Sequence, residues 1–278
     1  MPAELKEKFL VVITDLDGTL LDQQTYSYES SLAAVARLRA QEIPLVLCSS
    51  KTAAEIIPLQ RELGLKDPFI CESGGAIYLP RSYFPFRIAA MKPRRLLDVI
   101  EFGKNIFYLR QALQETAQGC GVAVKSFGRM TFQEIISHTG LTLDQAIYAR
   151  QREYDEPFFI DSGDEEALLA ALRGSGLTVT KGDRFYHLTA GHDKGEAVKV
   201  LLDHYRHQYQ SLLAVGLGNS ANDLSLLQQM DIAVLVRNPD GGWDAEVTTH
   251  LPSVKRTNGI GAKGWHEAID NLLERESA

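Results

Sequence analysis

Residues 9–14 (FLVVIT) form a short β-branched apolar run that stops at acidic residues and glycine, the pattern of a strand buried on both faces. From 28 to 40, Leu32, Val35, Ala36 and Leu38 recur at helical spacing, and residues 43–48 return to an apolar strand, completing a βαβ unit. A helix over 53–63, punctuated by Pro58, a short strand at 68–71 and a turn at Glu72-Ser73-Gly74-Gly75 continue the alternation. Late in the chain the pattern predicts a helix over 195–209, a strand at 212–217, a helix over 223–230 and a strand at 232–236. Alternation in both halves predicts an α/β fold, with one parallel sheet covered by helices on both faces and 9–14 as its central strand.

Between these halves, over roughly residues 84–190, longer helices such as 96–116 mix with isolated strands at 158–161 and 185–189. This predicts an inserted α+β cap domain (84–190) on a core made of 1–83 and 191–278. An insert that emerges from loops at one end of a sheet covers the site beneath, excludes water and selects substrates.

The 278 residues, 45% of them hydrophobic, suffice for a full core. A net charge of -7 argues against nucleic-acid or anionic-membrane partners, which need a basic surface. Three cysteines, Cys48, Cys71 and Cys120, without CxxC spacing suggest neither a disulfide framework nor a zinc site. The chain opens without an apolar signal region and has no membrane-length apolar run, so the expected location is the cytoplasm; nothing in the pattern bears on oligomeric state.

Asp15-Leu16-Asp17-Gly18-Thr19 sits at the end of the first strand, at the sheet edge where ligands bind in open α/β folds. Two positions apart on an extended chain, Asp15 and Asp17 project to one side, and a hard divalent cation such as Mg²⁺ relieves their repulsion. Asp15 is then placed to attack phosphorus and Asp17 to act as acid and base. The bland alternative is an acidic cap and turn. Ser49, Ser50, Lys51 and Thr52 lead from the second strand into a helix, either as an anion site or as simple capping. Lys194 opens a helix, where its charge opposes the dipole and hints at a compensating anion.

The segment Gly216-Leu217-Gly218-Asn219-Ser220-Ala221-Asn222-Asp223 mimics a dinucleotide fingerprint, but no suitable acidic residue follows at the end of the next strand. Its other reading supplies Mg²⁺ with oxygens from Asn219 and Asp223, while Ser220 and Asp223 also match a capping box.

Four segments in order, DLDGT, CSSKT, DKG and GNSANDL, resemble the four motifs of the haloacid dehalogenase superfamily, subclass IIB. The runs CSSKTAAEI, PFICESGGAIYLP, HTGLTLDQAIYARQREYDEPF, KGDRFYHL and VLVRNPDGGW look like the mannosyl-3-phosphoglycerate phosphatase family. The resemblance implies a Rossmann-like core with an α+β cap, Asp15 as nucleophile, Asp17 as acid and base, Ser49 and Lys194 as phosphate ligands, and Mg²⁺ on Asp15, Asp17, Asn219 and Asp223. It also implies a small phosphorylated sugar-acid substrate, whose product would be mannosylglycerate or a glucosyl analogue. Arg129, Arg152 and Arg184 are candidates for its carboxylate, and Glu153 with the Ser73, Gly74 and Gly75 backbone for its hydroxyls; Ser50 and Lys51 complete the expected binding set. The superfamily usually has aspartate at position 219, so Asn219 removes one negative charge and weakens the hold on Mg²⁺. A sugar phosphomutase or broad sugar phosphatase on the same scaffold, and a noncatalytic phosphate-binding regulator, are the rival readings.

Overall fold

The computed structural model describes residues 8–181 and 184–274. β1 (Phe9–Thr14), α1 (Leu32–Ala40), β2 (Leu45–Cys48), α2 (Ala53–Leu63), β3 (Phe69–Cys71) and β4 (Ala76–Pro80) open the chain. After β5 (Lys92–Arg94) and β6 (Leu97–Glu101) come α3 (Ile106–Gly119), β7 (Ala123–Ser126), α4 (Phe132–Thr139), α5 (Leu143–Ala149) and β8 (Glu156–Ser162). α6 (Glu165–Gly174), β9 (Thr178–Lys181) and β10 (Tyr186–Thr189) follow. The chain returns through α7 (Lys194–Gln208), β11 (Leu212–Gly218), α8 (Leu224–Leu227), β12 (Ile232–Arg237), α9 (Ala245–His250), β13 (Lys255–Ile260) and α10 (Gly261–Glu274).

One sheet has nine strands in the order β13-β12-β11-β1-β2-β3-β4-β6-β5. It is parallel from β13 to β3 and antiparallel beyond, so only part of it is the parallel sheet expected. β1 lies between β11 and β2, and successive side chains enter opposite layers. Leu10 and Val12 pack with Val35, Ile56 and Trp265, whereas Val11 and Ile13 pack with Val198, Leu201 and Leu202. Both faces being covered explains why the run is continuously apolar. The buried indole Nε1 of Trp265 donates to Thr14 Oγ1 at 2.9 Å, which ties α10 to the tip of β1 beside Asp15.

The helix expected over 96–116 is instead a strand and then a helix. Val99 and Ile100 are buried and complete the ladder with β4. The Asn105 side chain accepts from the N–H groups of Phe107 and Tyr108 and so starts α3 five residues after the strand ends at Glu101. β5 and β6, inside the segment expected to form the insert, therefore extend the large sheet. The second sheet, β7-β8-β10-β9, is antiparallel. Leu109 and Leu113 of α3 and Leu168 and Leu172 of α6 pack on Phe158 and Leu188, while Ile135 of α4 and Ala146 of α5 pack with Phe159 and Phe185. The helix expected over 223–230 shortens to α8 behind a 3-10 turn at Ala221–Asp223, because Asp223 is drawn back to cap that turn.

Candidate active site

Asp15 is the first residue past β1, and its N–H donates to Leu217 O at 2.9 Å, which holds it at the β1–β11 seam. Lys194, the first residue of α7, is buried, with its Nζ 2.7 Å from Asp15 Oδ1 and 2.6 Å from Asp223 Oδ1. One cation thus joins the tip of β1 to the loop after β11. Asp223 Oδ2 accepts from the N–H groups of Asn219 and Ser220, the capping box expected there. Burial raises the Asp15 carboxyl well above the ordinary range and Asp223 adds to this, against the opposing pull of Lys194. Burial disfavours the charge on Lys194, but Asp15 and Asp223 outweigh it and hold the amine protonated.

Gly18 has φ +77, and a Cβ there would lie 2.6 Å from Asn219 Nδ2, so only glycine lets the two loops meet. Thr19 Oγ1 donates to Asn219 Oδ1 at 3.0 Å, and Asn219 Nδ2 donates to Asn238 Oδ1 at 2.8 Å. Asp17 Oδ2 pairs with Lys51 Nζ at 2.9 Å, while Asp17 Oδ1 is buried with no hydrogen-bond partner among the described residues. Lys51 also lies over the Tyr26 ring, at 4.8 Å. Burial lowers the Lys51 pKa, yet Asp17 and Glu55 more than restore it. Ser49 is buried and its Oγ accepts from Lys51 N at 3.2 Å; Thr52 caps α2 in a reciprocal box with Glu55. Capping and clustering of polar groups therefore coexist in this loop.

The second sheet's unit touches this edge through residues 148–155. Thr52 Oγ1 donates to Tyr148 O at 3.0 Å, and Arg152 Nη1 donates to Ser50 O at 2.8 Å. Of the other arginines, Arg184 Nη1 donates to His138 O and Thr139 O at the end of α4, and Arg129 bonds Gln114. Glu153 pairs with Arg94 and accepts from Tyr78 Oη. Ser73 is half-buried, whereas Gly74 and Gly75 are buried against Asp193 and Tyr154. Sequence reasoning missed Glu72, whose fully buried carboxylate accepts from the N–H groups of Glu153, Tyr154 and Asp155. A glutamate between two apolar runs, in FICESGGAI, was the available signal. Burial pushes its carboxyl up to about 8, while Arg152 and the backbone donors pull it down.

A profile of haloacid dehalogenase-like hydrolases matches residues 12–262. The chain belongs to that family. The hydrolase is 37% identical to the glucosyl-3-phosphoglycerate/mannosyl-3-phosphoglycerate phosphatase of Methanococcoides burtonii, over 96% of this chain and 98% of the relative. It is 35% identical to the mannosyl-3-phosphoglycerate phosphatase of Pyrococcus furiosus, over 81% and 90%. Among solved structures, a phosphatase of the superfamily from Bacteroides thetaiotaomicron superposes with a TM-score of 0.66 at 19% identity, covering 98% of both chains. A subclass IIB sugar phosphatase gives 0.64 at 16% identity, over 95% of this chain and 98% of the other. These two likenesses concern the fold.

Whether the hydrolase's acidic edge suits Mg²⁺ can be read from its donors. Asp15, Asp17 and Asp223 offer carboxylate oxygens and Asn219 an amide oxygen, and Asp17 Oδ1 lacks, among the described residues, a partner that a cation would supply. Among the described residues no three His, Cys, Asp or Glu side chains close a cage by themselves. Mg²⁺, which keeps several waters, would draw only part of its shell from these side chains. The residues fit the ion. No helix among the described residues is long and apolar enough to cross a membrane.

Proposed function

We propose that this phosphatase of the haloacid dehalogenase type removes the phosphate of a glycosyl-3-phosphoglycerate through an aspartyl-phosphate on Asp15. An Asp15 carboxylate oxygen forms a bond to phosphorus as the bond to the glycerate oxygen breaks, and Asp17 gives that oxygen its proton. Asp17 then takes a proton from water, which attacks the phosphorus and releases inorganic phosphate, restoring Asp15. Lys194 and Ser49 steady the phosphoryl oxygens. An arriving phosphate competes with Asp17 for Lys51. Asp15, Asp17, Asn219 and Asp223 would hold Mg²⁺, which when bound screens the charge between Asp15 and the phosphate.

The observation that carries the reading is Lys194 bridging Asp15 and Asp223, because it gathers the nucleophile, a candidate metal ligand and a phosphate-binding cation at one sheet edge. The names of the relatives above support the sugar-acid substrate, whose phosphate would meet Lys194 and Lys51. The unit of the second sheet is the cap in this reading, and Lys51, Ser50, Arg152 and the Ser73 backbone lie on the side of the site it covers. A cytoplasmic location fits such a metabolite.

The test is phosphate release from mannosyl- and glucosyl-3-phosphoglycerate, with Mg²⁺ and then with chelator. Release should stop with chelator, and Asp15→Asn should fold normally yet lose at least about a thousandfold in kcat. Persistent turnover by Asp15→Asn rejects the covalent route; brisk release from simple hexose phosphates alone rejects the substrate.

A further inference from the structure

Three consecutive residues, Glu72, Ser73 and Gly74, have positive φ of 46, 55 and 98. For two residues with a Cβ this is strained backbone, which persists only where surroundings enforce it. Here the surroundings are three parts of the molecule. On one side Glu72 N donates to Lys51 O at 2.9 Å and Ser73 N to Ser49 O at 3.0 Å, stitching the turn to the phosphate loop. On another, His192 Nε2 lies 3.1 Å from Glu72 O, and a Cβ on Gly74 would be 2.0 Å from Asp193 O, one residue before Lys194. On the third, the Glu72 side chain reaches Tyr154 N and Asp155 N at 2.8 Å each and Glu153 N at 2.9 Å.

We propose that Glu72 is a positioning residue whose carboxylate latches residues 153–155, and with them the second sheet's unit, in register over the phosphate site. The proposal rests on the substrate reading above. A buried carboxylate that accepts three backbone N–H groups is unusual because each of those donors would otherwise be orphaned, and burying an unpartnered N–H is costly. The adjoining contacts act in the same place. Arg152, one residue before the latched segment, donates to Ser50 O, and the Tyr154 side chain packs where a Cβ on Gly75 would stand 2.5 Å away. Glu72 thus holds the insert from beneath while the backbone of its own turn holds Ser49 and the start of α7. Substrate parts that reach the insert should feel the loss of the latch, whereas a small ester that fills only the phosphate site should not.

Glu72→Leu keeps the bulk but removes both acceptor oxygens, so the N–H groups of residues 153–155 lose their partner. With mannosyl-3-phosphoglycerate its KM should rise at least about tenfold with kcat within about threefold, while both constants for p-nitrophenyl phosphate stay within about threefold of wild type. Amide hydrogen exchange at residues 153–155 should quicken at least about tenfold, without change in β1. Glu72→Asp, which keeps both oxygens but falls one methylene short, should give an intermediate KM and carries the test if Glu72→Leu does not fold. Equal losses on both substrates, or unchanged exchange at 153–155, overturn the latch. If the wild-type protein releases phosphate from p-nitrophenyl phosphate and from no glycosyl phosphoglycerate, the substrate reading falls, and the exchange measurement still decides the latch.

Discussion

Replacing Lys194 with methionine removes the cation from between two buried carboxylates while keeping most of the side-chain volume. The side chains of Lys194, Asp15 and Asp223 are 1%, 7% and 0% exposed, so solvent does little to screen what remains. Removing one member of a buried pair costs about 3–5 kcal/mol. The sign with pH follows from linkage: wild-type Asp15 is already raised to about 7, above its unfolded value, so both proteins lose stability together as pH rises from 4 toward 7. Without Lys194 the folded carboxyls titrate higher still, so above pH 7 the variant goes on losing about 1.4 kcal/mol per unit while wild type levels off, and the deficit widens. Urea denaturation in chelator at pH 5, 6, 7 and 8 measures it, and at pH 7 the matching fall in Tm is on the order of 10 °C. A deficit below about 1 kcal/mol, or one independent of pH, would refute the claim that Lys194 neutralises both carboxylates.

Asn219→Asp should bind Mg²⁺ more tightly in a titration but, in chelator, lose about 1 kcal/mol because the new carboxylate no longer donates to Asn238 Oδ1; an unchanged Mg²⁺ affinity would show that this side chain does not face the ion. Gly74→Ala should lose at least about 2 kcal/mol, since the added methyl meets the backbone of Asp193, and should lower kcat by displacing Lys194; a stable, active variant would show that the turn yields without disturbing the site.

The local pattern was enough for elements whose two faces are both apolar or cleanly striped. β1 spans the residues expected, α2 runs over 53–63 with Pro58 inside, and α7 is displaced by a single residue. Pattern failed where a strand and a helix adjoin. Residues 97–101 carry apolar Val99 and Ile100 that fit either period, and what makes them a strand is the ladder offered by β4. The cap residues show the same limit. An arginine's type predicts that it binds something anionic or polar, but Arg184 meets the carbonyls at the end of α4 and Arg152 meets Ser50 O. Glu153, chosen for a sugar, lies against Arg94 and Tyr78. Glu72 passed unnoticed because its partners are backbone groups, which every residue has.

Sequence alone determined which strands end in acids, hydroxyls or lysines, since periodicity and capping act over a few neighbouring residues and leave a local trace. It also determined the family, through four short segments in a set order. Tertiary structure decided that Lys194 stands between Asp15 and Asp223, that Gly18 meets Asn219, and that Glu72 accepts from the backbone of residues 153–155. These pairings join distant stretches of chain, and they follow from strand order and helix placement, which depend on how the whole set of apolar faces is buried together.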